Sequence, residues 1–320
     1  MRFIDWDEVH GLADYSSVVD AIARMYASGC DAMDRMIMCQ PTADGDEGDF
    51  LMQPAWMRGK AFGIKIANVF PANERRGKPS ILGVYVLFDG NTGEPLACID
   101  GPAETMIKTA CNSAVASRML ARASAETMLM MGAGKLAPYL IAAHASVRPI
   151  RRVLVWNRRT EKARDLAGRL SRPAFEVIAV SDPAGAAAEA DLISCATYAS
   201  EPILQGKWLK PGAHVDLVGS YRPDLRESDD EVIRRAGRLF VDARFSTVEI
   251  AGDVTEPLER GVLRAADITD LFELAQAKRP GRTSDREITV FKSGGGGHED
   301  LATALMLYER ATAADYGRDS

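Results

Sequence analysis

From about Glu126 to Asp242, short apolar runs alternate with segments of helix length. Thr127-Met-Leu-Met-Met131, Ile150-Arg-Arg-Val-Leu-Val-Trp156, Val177-Ile-Ala-Val180, Leu192-Ile-Ser-Cys-Ala-Thr197, His214-Val-Asp-Leu-Val-Gly219 and Leu239-Phe-Val-Asp242 have the character of strands buried on both faces. Their alternation with helices predicts a doubly wound parallel sheet and an α/β fold class. The chain before this region has another rhythm. Phe50-Leu-Met52, Ala61-Phe-Gly-Ile-Lys-Ile66 and Ile81-Leu-Gly-Val-Tyr-Val-Leu-Phe88 are strand-like runs between Pro- and Gly-bearing turns such as Asp89-Gly-Asn-Thr-Gly93, as in an antiparallel sheet. Val18, Val19, Ile22, Ala23 and Tyr26 recur at helical spacing behind Ser16, which reads as the cap of an amphipathic helix. A second helix, from about Ala103 to Arg122, leads into the parallel region. After Asp285–Lys292, the run Ser293-Gly-Gly-Gly-Gly297 reads as a flexible turn before a closing helix from Glu299 to Arg310.

The first of the buried strands breaks into Gly132-Ala133-Gly134-x-x-Ala137. Gly132 suits a tight turn, Gly134 lets backbone approach a pyrophosphate, and Ala137 allows close helix–strand packing. This predicts a Rossmann dinucleotide site; the competing reading is a glycine turn in a nucleotide-free sheet. The next strand ends in Asn157-Arg158-Arg159-Thr160, where an NAD site carries Asp or Glu about 20 residues after the glycines. Guanidinium groups there favour a 2′-phosphate, so NADPH is the expected cofactor and NADH the alternative. Otherwise Arg158 and Arg159 simply mark an exposed helix start.

At 320 residues the chain has room for two cores. Its net charge of −6 and scattered basic pairs exclude a broad cationic surface, which argues against nucleic acid. The absence of a long uncharged apolar run and of an apolar core at the N-terminus predicts a cytoplasmic enzyme without membrane attachment. Cys30, Cys39, Cys98, Cys111 and Cys195 form no C-x-x-C pair, and the four histidines show no ligand spacing. Reduced thiols and no metal are expected.

Several separated segments together resemble the ornithine cyclodeaminase and mu-crystallin family of NAD(P)-dependent enzymes. They are Leu51-Met-Gln-Pro-Ala55, Lys65 with Pro71-Ala-Asn73, Thr92-Gly-Glu-Pro-Leu96, Thr105-x-x-Lys108-Thr109-Ala110, Gly132-Ala-Gly134, Trp156-Asn-Arg158, Gly219-Ser-Tyr-Arg-Pro-Asp224 and Ile288-Thr-Val-Phe-Lys-Ser293. The resemblance implies a smaller α+β substrate and dimerisation domain, residues 1–118 plus 298–320, around an inserted Rossmann domain, residues 119–297. It also implies a homodimer that binds a small imino or amino acid. In the family pattern Arg35, Lys65 and Lys108 hold the substrate carboxylate, with Lys65 also placed to donate a proton to an imine nitrogen. Lys108 departs from the family's usual arginine and lacks its bidentate fork. Thr109 resembles a cofactor-phosphate contact or a packing threonine, and Thr197 a nicotinamide-lining residue or a strand-end cap. His298, beside the glycine run, reads either as a substrate-binding imidazole or as a cap of the last helix.

Cyclodeaminases of this family carry an aspartate where the chain has Tyr221. A reductase needs one proton donor and a hydride, whereas cyclisation with loss of ammonia needs a carboxylate for several proton transfers. The resemblance therefore implies reduction of 1-pyrroline-2-carboxylate to L-proline, and of its six-membered homologue 1-piperideine-2-carboxylate to L-pipecolate. Ornithine cyclodeamination with NAD stays open, with Asp216 or Asp224 replacing the aspartate. So do an amino-acid dehydrogenase and a crystallin-like protein that binds NADPH and a small ligand without turnover.

Overall fold

The computed structural model describes residues 1–170, 175–220 and 222–316. The chain divides into two compact units, one made of Met1–Lys108 and the segment from Gly296 onward, the other of Thr109–Gly295. The first cut falls inside a helix rather than near residue 118. Beyond the cut, Ser117 of that helix belongs to the second unit, and its hydroxyl lies 2.9 Å from Nδ1 of His144 there.

In the first unit a sheet is built from β1 (Arg2–Ile4), β2 (Asp31–Ala32), β3 (Met36–Pro41), β4 (Glu47–Met57), β5 (Ala61–Val69), β6 (Ile81–Asp89) and β7 (Pro95–Asp100). Its order is β1-β7-β6-β5-β4-β2, with β3 also on β4. All pairs are antiparallel except β1 with β7. The period of two puts Lys65, Tyr85, Leu87, Ala97 and Ile99 on one buried face. The C-terminal helix (Gly297–Tyr316) packs across β4, β5 and β6 on this side and against α2 (Tyr15–Ser28), which follows α1 (Trp6–Leu12). Gly63 makes room for this packing, since a Cβ there would lie 2.5 Å from the Tyr85 hydroxyl. The cap of α2 is Asp14, not Ser16: its carboxylate accepts from the Ser17 N–H at 3.0 Å and from both serine hydroxyls. A charged acceptor outcompetes a hydroxyl for that role.

Helix α3 (Gly101–Leu120) leads into the second unit, where β8 (Thr127–Met131), α4 (Ala137–Val147), β9 (Arg152–Trp156), α5 (Thr160–Leu170), β10 (Glu176–Val180), α6 (Pro183–Glu189), β11 (Leu192–Cys195), β12 (His214–Leu217), α7 (Asp230–Ala236), β13 (Leu239–Val241), β14 (Ile268–Asp270) and β15 (Thr289–Lys292) follow. All eight strands are parallel in the order β10-β9-β8-β11-β12-β15-β13-β14. This is the doubly wound Rossmann architecture, and the strand order reverses between β8 and β11. The glycine run after β15 is pinned rather than flexible. Asp242 Oδ2 accepts from the N–H groups of Gly294 and Gly295 at 2.7 and 2.6 Å, and a Cβ on Gly294 would lie 2.3 Å from Thr247 Oγ1.

Asp216, on β12, is fully buried and accepts from Ser194 Oγ at 2.7 Å, with His144 Nε2 at 3.1 Å. Burial pushes its carboxyl pKa up, but the hydrogen bonds and charge of His144 and the Ser194 hydroxyl outweigh burial and hold it below the usual range. Its stabilising contribution is therefore present above the ordinary carboxylate range and is lost as pH falls through the depressed value. Asp216→Ala is expected to destabilise the protein by about 3 kcal/mol near neutrality. Urea unfolding should show that deficit shrinking as the pH is lowered toward about 3.

Candidate functional site

In the second unit the first buried strand, β8, delivers Gly132 to the strand-order reversal. Gly132 has φ +117°, and a Cβ there would lie 2.5 Å from the Ala196 carbonyl oxygen, so only glycine fits the turn. Its N–H donates to the Trp156 carbonyl at 2.9 Å. Ala133 is half-buried, whereas Gly134 is exposed with open space where a side chain would begin. Helix α4 starts directly beyond, with Leu136 as N-cap and no side-chain hydrogen bond to its first N–H groups. Ala137 N–H donates to the Gly134 carbonyl at 3.2 Å and Pro138 has no N–H, so it is the helix N-terminus with the bare glycine backbone beside it that fits a dinucleotide pyrophosphate.

Register aligns Met131 with Trp156, which brings the segment after β9 beside this turn. Asn157 folds its amide onto the Arg159 carbonyl at 3.0 Å, and Arg158 and Arg159 are exposed at the start of α5. Thr109 is the first residue of this unit and half-buried on α3. On the other side of the reversal, Thr197 follows β11, and its N–H and hydroxyl both donate to Glu227 Oε1, at 2.6 and 2.9 Å. Glu227 Oε2 accepts from the Gly219 N–H at 2.7 Å. One buried carboxylate thus ties the ends of β11 and β12 together. Burial first, and then the neighbouring Asp253, push the Glu227 pKa up to about 7. The sequence singled out Thr197 and Gly219 but not Glu227, whose Arg-Glu-Ser setting resembles any solvated loop.

In the first unit, Lys65 and Lys108 are buried and share one partner. Lys65 Nζ lies 3.4 Å from Asp300 Oδ1, and Lys108 Nζ lies 3.2 Å from the same oxygen and donates to Glu299 Oε2 at 3.0 Å. Lys65 is brought there by β5, between Gln53 of β4 and Tyr85 of β6. Burial lowers the Lys108 pKa, but the carboxylates of Asp300, Glu299 and Glu104 outweigh it and raise it well above the lysine range. Asp300 shows the converse: burial raises its pKa, and Lys108 and Lys65 outweigh that and lower it.

His298 is fully buried near the start of the C-terminal helix, with Nε2 3.3 Å from the Tyr26 hydroxyl and 3.6 Å from Glu299 Oε1. The Tyr26 hydroxyl in turn donates to Glu299 Oε1 at 3.1 Å. The imidazole therefore stands beside the acid that partners Lys108. Arg35 is half-buried directly ahead of β3. Asn73 is a turn residue, its amide donating to the Pro79 carbonyl at 3.1 Å.

Of the aspartates considered as replacements for Tyr221, Asp216 is committed to the network within the sheet. Asp224 is exposed, with its carboxylate bound to Arg222 at 2.8 Å. Tyr221 itself lies outside the described residues. Among the described residues no group of His, Cys, Asp and Glu is arranged to hold a metal ion, and no helix is long and apolar enough to cross a membrane.

A parallel sheet with a glycine turn and a helix N-terminus at its strand reversal, in a chain whose other unit carries buried paired lysines, defines a two-unit dinucleotide-binding protein. The chain belongs to the ornithine cyclodeaminase/mu-crystallin family, whose model matches residues 7–315. It is 36% identical over 308 residues to a Delta(1)-pyrroline-2-carboxylate reductase of Paracoccus denitrificans, covering 96% of each chain. The solved structure of the Thermococcus litoralis Delta(1)-pyrroline-2-carboxylate reductase in complex with NADH and L-proline has a TM-score of 0.90 at 30% identity, covering 98% of both chains. The iminosuccinate reductase of Paracoccus denitrificans in complex with NAD+ has a TM-score of 0.86 at 25% identity, covering 98% of this chain and 97% of that one.

Proposed function

We propose that the chain is an NAD(P)H-dependent imine reductase that converts 1-pyrroline-2-carboxylate to L-proline and takes 1-piperideine-2-carboxylate to L-pipecolate. The observation that carries this reading is the pair of buried lysines sharing Asp300, in a chain similar along its length to reductases of that name. A carboxylate substrate needs buried cations, and an imine nitrogen needs a proton as its carbon accepts hydride. Lys108, with Arg35, anchors the carboxylate, and Lys65 donates the proton. His298 steadies Glu299 beside the substrate residues. The reduced dinucleotide, when bound, supplies the hydride.

Gly132, Ala133, Gly134 and the first turn of α4 hold the pyrophosphate, with Thr109 as a further phosphate contact and Thr197 beside the nicotinamide. Asn157, Arg158 and Arg159 receive the adenosine ribose. Because no acid occupies that position, both dinucleotides are accepted and NADPH is preferred. Replacing Arg158 and Arg159 together by alanine is expected to weaken NADPH about tenfold or more while changing NADH little, which fluorescence titration of both cofactors measures. Equal weakening of the two would contradict the assignment.

The cyclodeaminase alternative loses support from Asp216 and Asp224, whose carboxylates are engaged elsewhere. The test is NADPH oxidation with 1-pyrroline-2-carboxylate, run beside ammonia release from L-ornithine with NAD. Oxidation without ammonia supports the reductase; ammonia without oxidation would establish a cyclodeaminase. Cofactor binding with neither would leave a crystallin-like binding protein.

The active form is a homodimer, and the surface for it is the open face of the first unit's sheet. Trp56, Phe62 and Phe88 stack there at 4.6 and 4.9 Å between ring centroids, and the register puts Met36, Met38 and Leu82, all exposed, on the same face. An apolar face of that kind calls for a partner. Trp56→Glu should shift sedimentation from dimer to monomer. None of the five cysteines is in a disulfide, which suits a reducing compartment, and on that ground we assign the enzyme to the cytoplasm.

A further inference from the structure

Glu104 lies on α3, one turn before Lys108, and is fully buried. Among the described residues no donor reaches either of its carboxyl oxygens or Asp300 Oδ2, and the buried Tyr85 hydroxyl has no partner; the Asp300 side chain is within hydrogen-bonding reach of the Glu104 carboxyl, a contact that needs a proton on one of the two acids. An ionised carboxylate in that position would face the Asp300 charge with no hydrogen-bond donor of its own, so the neutral acid is the form the site favours. The charges that act on Glu104 come from Asp300 on the C-terminal helix, Lys65 on β5 and Lys108 on its own helix. Tyr85, on β6, senses both Asp300 and Glu104. Two carboxyls in one pocket cannot both ionise cheaply, and the two lysines fix the negative charge on Asp300. Burial first, and then Asp300, push the Glu104 pKa well above the carboxylate range. Lys108 is held charged by its acids and is a poor source of a proton. Imine reduction consumes one at every turnover.

We propose that Glu104 is the proton reservoir of this cluster, recharging Lys65 through Asp300 after Lys65 has protonated the substrate nitrogen. This rests on the reductase reading. As hydride adds to the imine carbon, the C=N π pair forms the new N–H bond with a proton from Lys65 Nζ. Asp300 accepts the proton of Glu104 and, as a transient neutral acid, passes that proton to the neutral amine left on Lys65 across the contact of 3.4 Å. Asp300 ends unchanged, and Glu104 ends as a carboxylate that is reprotonated from water. The product gains one hydride and one proton. Glu104 acts through Asp300 and Lys65, not on the substrate itself.

Glu104→Gln keeps the shape and removes the exchangeable proton; Glu104→Leu is the second variant in case the amide folds poorly. Infrared difference spectra of the substrate-free protein at neutral pH should show a protonated carboxyl that both variants lack. With cofactor bound and limiting imine, the first turnover should keep the wild-type rate because Lys65 begins protonated. Steady-state kcat should fall about tenfold or more, with KM unchanged. A carboxylate signal for Glu104 at neutral pH would overturn the proposal. So would equal slowing of the first and later turnovers, or wild-type kcat in both variants. If the protonated carboxyl is present but the wild type reduces neither imine, the reductase reading fails, and the role in turnover falls with it. If the wild type reduces imine without that signal, the proton store alone fails.

Discussion

Lys65→Ala is expected to lower kcat for reduction of 1-pyrroline-2-carboxylate by about 10²–10⁴-fold, the range spanned by loss of a positioned general acid. NADPH affinity should not change, because the dinucleotide residues belong to the other unit. The fold should survive, since Asp300 keeps Lys108 at 3.2 Å and is not left as an isolated buried charge. Steady-state kinetics with a parallel cofactor titration separate the two effects. A variant within about threefold of wild-type kcat would remove Lys65 from the proton path. A rise in KM alone would make it a carboxylate anchor only.

Gly132→Val is expected to abolish dinucleotide binding, raising Kd about a hundredfold or more. At φ +117° a side chain is strained wherever it points, and here its first atom would meet the Ala196 carbonyl at 2.5 Å and Thr197 Cγ2 at 3.2 Å. Strain in that glycine-only region costs about 1–3 kcal/mol, and overpacking adds about 1–3 kcal/mol. Relief requires the turn to move away from the end of β11, which displaces the N–H groups that face the pyrophosphate. Gly134→Ala is the contrast, because the added methyl enters open space. It should leave Tm unchanged and weaken cofactor binding by contact alone. If Gly132→Val binds NADPH normally, the turn is not the pyrophosphate site.

The strands and the glycine turn after β8 were legible because their signals are local. A strand such as Val153–Val155 announces itself by composition, and Gly132 by the turn it must make. The burial of Lys65 was not legible, since Gly-Ile-Lys-Ile by itself suits a lysine reaching solvent. The acids that pair with Lys65 and Lys108 were not legible either. Asp300 is 235 residues from Lys65 and Glu299 is 191 from Lys108, distances over which no spacing rule operates. In sequence Glu299 and Asp300 look like ordinary acids in a first helical turn. Glu104 looks like a solvated helix position until β5 and the C-terminal helix enclose it. Glu227 is the same case in the other unit. The glycine run before the last helix misled in the opposite direction: flexibility was inferred from composition, whereas Asp242 and close backbone packing hold it in place.

The reaction turns on hydride transfer to the carbon of a cyclic imine. The direct measurement supplies 1-pyrroline-2-carboxylate with NADPH carrying deuterium at the transferable position of the nicotinamide and follows the product by NMR. The expected product is L-proline with one deuterium on Cα, formed with stoichiometric oxidation of the cofactor. Cofactor left reduced beside unreacted imine, with ammonia and proline formed from L-ornithine instead, would contradict it.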